Sequence, residues 1–406
     1  MFAFARREWP LLGSALIWAL LVLNFSTMTL WSGDDSIQYR FVQRLFGDAP
    51  HAVGYYFGLG LAEAPFYGAG KLLDHVGVHS LEGNPIRPAA IALGLGLLTL
   101  VAWWPNVAVL RGLRLRFAGP VLLAAALGTP LFFYATFEAG KNHDLDAVLF
   151  SVVVYLAFRY FSKDRPERWL PFALGAVLGY SYTVRYFSGA EAVALILVLA
   201  WWRRWRDAAE IAVTSAVVCL LLLTVPWGLG VPIFGGGYNT GLLGVFAPLN
   251  TFRMLFTDHR GLFVWSPVSA LAAVGLVLLF KRRPEHRRFL VAATAMGVAI
   301  MASYSLVTFW DGTWSFSQRF YTPLYPLVVI GLAGLVDVTP RLGFAAAAVA
   351  VAWTLFLAFN LVTIGGPQYL STIPGGASDL ALVPERTHTS PGAYAWGVYH
   401  KSNLLP

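Results

Sequence analysis

Charge is what this sequence has least of. Of its 406 residues only 12% are Asp, Glu, Lys or Arg, while 57% are hydrophobic; an ordinary soluble domain carries about 25% charged residues. That shortage excludes a water-soluble globule with a normal polar surface. Cysteine is nearly absent too. Cys219 stands alone in an apolar run, so no disulfide framework exists within the chain, and the thiol reads as an inert buried group. Tight metal-ligand spacing is also missing: His51, His75 and His79 are too scattered for a zinc site. No internal repeat stands out, which weighs against an inverted-repeat transporter.

What the sequence has instead is long apolar runs. Mean hydropathy is +0.63, and a helix needs roughly 20 apolar residues to cross a bilayer core. The fold class is therefore an all-α integral membrane protein. Eleven spans are predicted, at about 11–30, 88–110, 117–136, 146–161, 169–187, 188–202, 210–232, 262–280, 289–309, 321–337 and 342–363. The fifth and sixth meet so tightly at Phe187-Ser188-Gly189 that they also read as one broken helix. The first follows Arg6 and Arg7 but lacks a signal-peptide cleavage pattern, so it is expected to persist as a span. These spans make residues 1–364 a transmembrane domain, with 31–87 its long first outer loop and 365–406 a Gly-, Pro- and Ser-rich outer tail.

The net charge of +8 invites a nucleic-acid reading, but no basic stripe lies on a soluble surface. The cations fall in short clusters between apolar runs: Arg6–Arg7, Arg111–Arg116, Lys163–Arg168, Arg203–Arg206, Lys281–Arg288 and Arg341. With Arg159 these clusters hold eighteen of the 29 Lys and Arg residues. Short loops rich in Lys and Arg mark the cytoplasmic side. The N-terminus is expected inside, the C-terminus outside, in a plasma membrane. Acidic residues behave oppositely, since Asp34, Asp35, Asp48, Glu63, Asp74, Glu138, Asp144, Asp146 and Asp311 all fall on the outer side. Chemistry is therefore expected at the outer face.

In the first outer loop, Ile37, Phe41, Val42 and Leu45 recur at helical spacing among polar residues. Such a helix lies in the interface plane. The run from Tyr55 to Leu73 carries Glu63, Pro65 and Lys71 and reads as interfacial or re-entrant. Just after the first span come Asp34 and Asp35, two adjacent carboxylates at a membrane boundary. They suit a general base, a divalent-metal ligand or a helix N-cap. A second acidic turn is Glu138-Ala-Gly-Lys-Asn-His-Asp-Leu-Asp146. Asp144 and Asp146 are about 200° apart around a helix, so one site takes one of them. Lys141 and His143 are placed to meet a phosphate oxygen, and the competing reading is a hydrated turn that caps a span. Arg185, Arg260 and Arg319 sit in aromatic outer segments, where a guanidinium fork binds phosphate or snorkels to head groups. Glu191, near a span end, reads equally as functional or as a partner of Arg185.

Together these motifs resemble the GT-C superfamily of membrane glycosyltransferases, which includes protein O-mannosyltransferases and lipid A aminoarabinose transferases. The resemblance rests on Asp-Asp-Ser-Ile-Gln-Tyr after span one, the acidic turn before span four, Gly-Tyr-Ser-Tyr-Thr-Val-Arg, His-Arg-Gly-Leu-Phe-Val-Trp-Ser-Pro and Trp-Ser-Phe-Ser-Gln-Arg-Phe-Tyr, and covers about residues 10–365. It implies a polyprenyl-phosphate sugar donor and a glycan, lipid or protein acceptor. It implies a catalytic base at Asp35, four residues before Tyr39, with Asp34 as second choice, and a second acid at Asp144 or Asp146. Phosphate binding falls to Arg319, with Arg185, Arg260 and Lys141, and the sugar and acceptor pocket to Tyr39, Glu63, Trp310, Trp314 and Tyr321. No metal or other cofactor is expected, a divalent ion being the alternative. The rival functions are a transporter or lipid flippase, a non-catalytic scaffold, and an acyltransferase built on His143.

Overall fold

The computed structural model describes residues 2–26, 33–50, 57–78, 86–163, 165–231, 248–257, 260–306 and 316–363. The side chains of Asp34 and Asp35, together with Trp310, Trp314 and the tail 365–406, lie outside the described residues, as do His51 and His79. Among the described residues every regular element is helical. Helix runs through each of the eleven predicted stretches. Five helical segments are long and apolar enough to cross a membrane: Glu8–Phe25, Arg87–Gly112, Trp205–Gly228, Arg319–Val338 and Pro340–Leu361.

The first is α1 (Phe2–Phe25). Two loop-one helices follow, α2 (Gly33–Leu45) and α3 (Phe57–His75). The interfacial helix expected from Ile37 to Leu45 is therefore present, and Asp34 and Asp35 fall in its first turn. The second span is α4 (Arg87–Leu98) and α5 (Trp103–Gly112), split by a turn. The third is split into α6 (Ala118–Leu127) and α7 (Pro130–Ala135). Here Thr129 is extended at φ −123°, ψ 169°, as the residue before proline prefers, and Pro130 opens α7 where no N–H is needed.

Next come α8 (Asn142–Phe161), α9 (Leu170–Val184), a 3₁₀ turn at Tyr186–Ser188, and α10 (Gly189–Trp201). The fifth and sixth spans are thus two helices that pack on each other, and the broken-helix reading falls away. Arg185 makes the joint, extended at φ −158°, ψ 116°. The remainder is α11 (Trp205–Gly228), α12 (Pro248–Phe256), α13 (Leu262–Trp265), α14 (Val268–Arg282), α15 (Arg287–Tyr304), a 3₁₀ segment Arg319–Leu324, α16 (Tyr325–Val338) and α17 (Pro340–Thr363).

Burial sorts these helices. In the stretch Arg319–Val338, 83% of the apolar window is buried, against 11% in α11. So α16 is the axis of the bundle, and α11 turns Val213, Leu220, Leu221 and Trp227 outward, as a lipid-facing helix does. Two helices of equal apolarity gain nothing from hydrophobicity in lipid, so close backbone packing has to hold them. The α14–α16 pair shows how. A Cβ at Gly275 would stand 1.8 Å from the Gly331 carbonyl oxygen, and one at Gly331 would stand 2.1 Å from that of Ala272. Only hydrogen fits at either position.

Candidate active site

The site is built where helices end. The second acidic turn opens α8, so Asp144 and Asp146 lie in its first turns, both buried. Asp146 reaches across to the α9–α10 joint. Arg185 Nη1 lies 3.3 Å from its Oδ2, and the Ser188 hydroxyl donates to its Oδ1 at 2.7 Å. The extended backbone at Arg185 is what swings the guanidinium back towards α8. Glu191, in the first turn of α10, is buried within electrostatic range of both Asp146 and Arg185. Asp144 takes the other side of α8. Its carboxylate meets no hydrogen-bond donor among the described residues, and the nearest charge acting on it is Lys141. The two acids serve different neighbours, Asp146 the α9–α10 joint and Asp144 the side of Lys141, although both lie in the same cluster.

Lys141 is tied to Glu138 at 2.5 Å, both side chains almost fully buried, and lies over the Tyr134 ring at 5.9 Å. The Tyr134 ring also packs on His143 at 4.6 Å between centroids. Its hydroxyl accepts the Phe316 N–H at 3.0 Å and donates back to the Phe316 carbonyl at 3.4 Å. That pair of bonds, with Phe133 stacked on Phe316 at 4.9 Å, anchors the segment leading to Arg319. Ser317 within it is left-handed, φ 50°, and fully buried. A non-glycine residue held there costs about 1–2 kcal/mol, a kind of strain that clusters at functional sites. Arg319 emerges from this turn over the Phe320 ring at 5.3 Å.

The aromatic rings close the arrangement. Arg185 lies over Tyr304 at 4.8 Å and over Phe320 at 5.5 Å, and Tyr304 and Phe320 stack at 4.7 Å. A planar guanidinium on aromatic faces keeps its charge in a place water scarcely reaches. Lys141, Arg185 and Arg319 are all close enough to His143 to act on its charge. The structure therefore gathers Lys141, His143, Asp144, Asp146 and Arg185, all buried, and the half-buried Arg319 into one cluster.

The other expected residues fall elsewhere. Tyr39 and Glu63 belong to the loop-one helices: Tyr39 meets Tyr67 edge-on at 5.7 Å, and Glu63 is buried in α3 near Tyr180. Arg260 is buried ahead of α13, itself at a positive φ of 96°. Tyr321, expected in a sugar wall, is a packing residue: its hydroxyl faces Met254 Sδ at 3.2 Å and the Met301 carbonyl at 3.5 Å. Among the described residues no three His, Cys, Asp or Glu side chains gather as a metal site would require.

The loop-one helices dock on the cluster. Val42 of α2 and Leu59 of α3 share a buried patch with Leu145 and Val184, the direct neighbours of Asp144, Asp146 and Arg185. At the far end of α2 a clasp fixes this placement. Lys71 bonds Asp48 at 2.7 Å, Tyr67 donates to Asp48 at 2.6 Å, and Arg87 meets Asp74 at 2.6 Å. The bonds from Lys71 and then Tyr67 hold the Asp48 carboxyl below the usual carboxylate range. Sequence reasoning did not single out Tyr134, Ser188, Tyr304 or Phe320, because aromatic and hydroxyl residues are too common in a membrane chain to signal a site.

The chain superposes on the crystal structure of ArnT, an aminoarabinose transferase from Cupriavidus metallidurans bound to undecaprenyl phosphate, with a TM-score of 0.56 and 15% identity, over 96% of this chain and 69% of that one. It also superposes on the oligosaccharyltransferase AglB of Archaeoglobus fulgidus in complex with an inhibitory peptide and a dolichol-phosphate, with a TM-score of 0.53 and 13% identity, over 99% of this chain and 61% of that one. The chain has the GT-C fold. At these identities the likeness is one of fold, and the chain spans about three fifths of the AglB length. No protein-family model matches it, nor does any curated sequence.

Proposed function

We propose that this GT-C protein is a membrane glycosyltransferase that moves a sugar from a polyprenyl-phosphate donor to an acceptor hydroxyl at the outer face of the membrane. One observation carries the reading: Lys141, Arg185 and Arg319 converge on the buried His143, beside the buried carboxylates of Asp144 and Asp146, and the helix that opens with Asp34 and Asp35 is docked against this cluster. Preorganised cations in a poorly solvated site stabilise charge that builds on a leaving group. The lipid phosphates bound by ArnT and AglB support a phosphate as that group.

In this mechanism the donor's phosphate lies against Arg319 and Lys141, while Asp146 and Ser188 fix Arg185 beside them. Asp35 takes the proton from the acceptor hydroxyl as its oxygen forms a bond to the anomeric carbon. The bond from that carbon to the phosphate oxygen breaks, and polyprenyl phosphate leaves with the electron pair. A single displacement of this kind inverts the anomeric centre. Asp34 is the alternative base. Tyr39, Glu63, Trp310 and Trp314 form the sugar and acceptor pocket, and no metal is needed for a monophosphate leaving group. The N-terminus is then cytoplasmic and the site faces outward from the plasma membrane.

The test is release of polyprenyl phosphate by purified protein in bilayer discs, from a panel of radiolabelled undecaprenyl-phosphate sugars, with a panel of lipid, glycan and peptide hydroxyls, and water, as acceptors. The wild type releases it and Asp35→Asn, melting unchanged, does not. Full transfer by both Asp35→Asn and Asp34→Asn would end the assignment.

A further inference from the structure

A cavity lies at the opposite end of the same helices. Helix α8 carries Asp144 and Asp146 at its start and spans 20 residues, about 30 Å at 1.5 Å per residue, or one hydrocarbon thickness. Its far end, together with the end of α10 and the start of α15, encloses a cavity of about 780 Å³. Three cations line it: Lys163, Arg287 and Arg288. Trp201 and Trp202 stand beside them, Trp201 85% exposed. Val198 and Val291 form its apolar wall, a turn further into the membrane on each helix.

The charges there are poorly balanced. Lys163 pairs with Glu167 at 2.6 Å, and nearby Arg283 pairs with Asp337 at 3.7 Å. Arg287 and Arg288 form no ion pair among the described residues. Both occupy the first turn of α15, where the helix dipole is positive and repels a cation. Glu285 is the one acid that lines the cavity. Two unbalanced guanidinium groups at a positive helix end form a receptor for an anion.

We propose that this cavity binds the phosphate headgroup of an anionic phospholipid in the leaflet opposite the candidate active site. Tryptophan at the level of the head groups and the half-buried Val198 and Val291 in the lining favour a lipid over free phosphate, for the valines give an acyl chain somewhere to lie. Basic pockets between transmembrane helices on the cytoplasmic side hold such head groups. The short basic loops place the cavity on that side.

Native mass spectrometry of the delipidated protein tests the proposal, with cardiolipin, phosphatidylethanolamine and inorganic phosphate as probes. The wild type retains cardiolipin in preference to phosphatidylethanolamine. In R287Q/R288Q cardiolipin affinity falls roughly thirty-fold, from the loss of two surface charges near the lipid. The equally discharged K281Q/R282Q, outside the cavity, keeps wild-type affinity, and R287K/R288K, which preserves charge, keeps most of it. Equal losses in the two Gln variants, equal retention of both lipids, or phosphate competing as well as lipid would each overturn the proposal. Thermal melting of every variant separates loss of the site from loss of the fold.

Discussion

Replacing Asp146 with Asn keeps the shape of the site while removing the charge that faces Arg185. The pair is buried, 2% and 1% exposed, at 3.3 Å. Removing one member of a buried ion pair costs about 3–5 kcal/mol, because the other charge stays desolvated. Two features lower that figure here. The guanidinium keeps its contacts with Tyr304 and Phe320, and Glu191 remains within electrostatic range. Asp146→Asn alone is therefore expected to cost about 2–3 kcal/mol. Glu191→Gln alone is expected to cost less than about 1 kcal/mol, since in the wild type it removes both an attraction to Arg185 and a repulsion from Asp146. With Asp146 neutralised, Glu191 is the acid left to face Arg185, so the double variant loses more than the sum. Neighbours in one charge network couple by about 0.5–3 kcal/mol. Melting of the four proteins in one detergent, with donor turnover as a second readout, closes the cycle. Additivity within about 0.3 kcal/mol would refute the claim that Asp146, Arg185 and Glu191 act as one unit.

Four further outcomes follow from the same geometry. Asp35→Asn lowers transfer roughly 10²–10⁴-fold with melting unchanged, the usual worth of a general base; a drop under tenfold removes Asp35 from that role. Arg185→Lys lowers donor turnover at least about tenfold although the charge survives, because an ammonium cannot stack on Tyr304 and Phe320 while also bonding Asp146; wild-type turnover would sink this. Gly331→Val destabilises by at least about 1–3 kcal/mol, the range for overpacking, since even its Cβ would meet the Ala272 carbonyl oxygen at 2.1 Å; an unchanged melt contradicts the α14–α16 crossing. Last, bonds from Lys163 and then Trp169 and Arg159 hold the Glu167 carboxyl down to about 2. Its folded value lies below its unfolded one, near 4.3, so its contribution is full above the unfolded value and fades as pH falls through the folded one. Melting from pH 5 towards pH 3 should therefore fall more in the wild type than in Glu167→Gln, and parallel curves would contradict the bonding.

The membrane class and the helical architecture were legible because apolar length is a property of consecutive residues. The helix over Ile37–Leu45 was legible from periodicity alone, and so was the divergence of Asp144 from Asp146, which follows from 3.6 residues per turn. The internal breaks were not read as such. Thr129 leaves the helix because Pro130 follows it, and the turn between Leu98 and Trp103 contains no proline at all. A hydropathy run passes over both. The partners of the charges were hidden for a different reason: Asp146 finds Ser188 forty-two residues on, and Tyr134 finds Phe316 across 182. Local spacing named Glu191 as a partner for Arg185, six residues earlier, and the structure adds Asp146 to that pair. Tyr321 misled because an aromatic beside Arg319 looks like a sugar wall, while the 3₁₀ turn sends its hydroxyl into the packing against Met254.

A helix in lipid satisfies its own backbone, so polar chemistry is placed most cheaply where helices stop and free N–H and C=O groups already need partners. Every member of the cluster obeys this. Asp144 and Asp146 open α8, Arg185 sits past the end of α9, Ser188 precedes α10, and Arg319 starts a 3₁₀ turn before α16. The interruptions that hydropathy could not see are thus the means by which charges from three distant stretches reach one level of the bundle. The same rule accounts for the cavity at the other end of α8 and α10, where helices stop again and Arg287 and Arg288 gather. One end collects acids and arginines that hold one another, and the other collects two arginines that form no ion pair among the described residues. The first arrangement keeps its charges in place for a substrate that comes and goes, and the second leaves positive charge open to an anion.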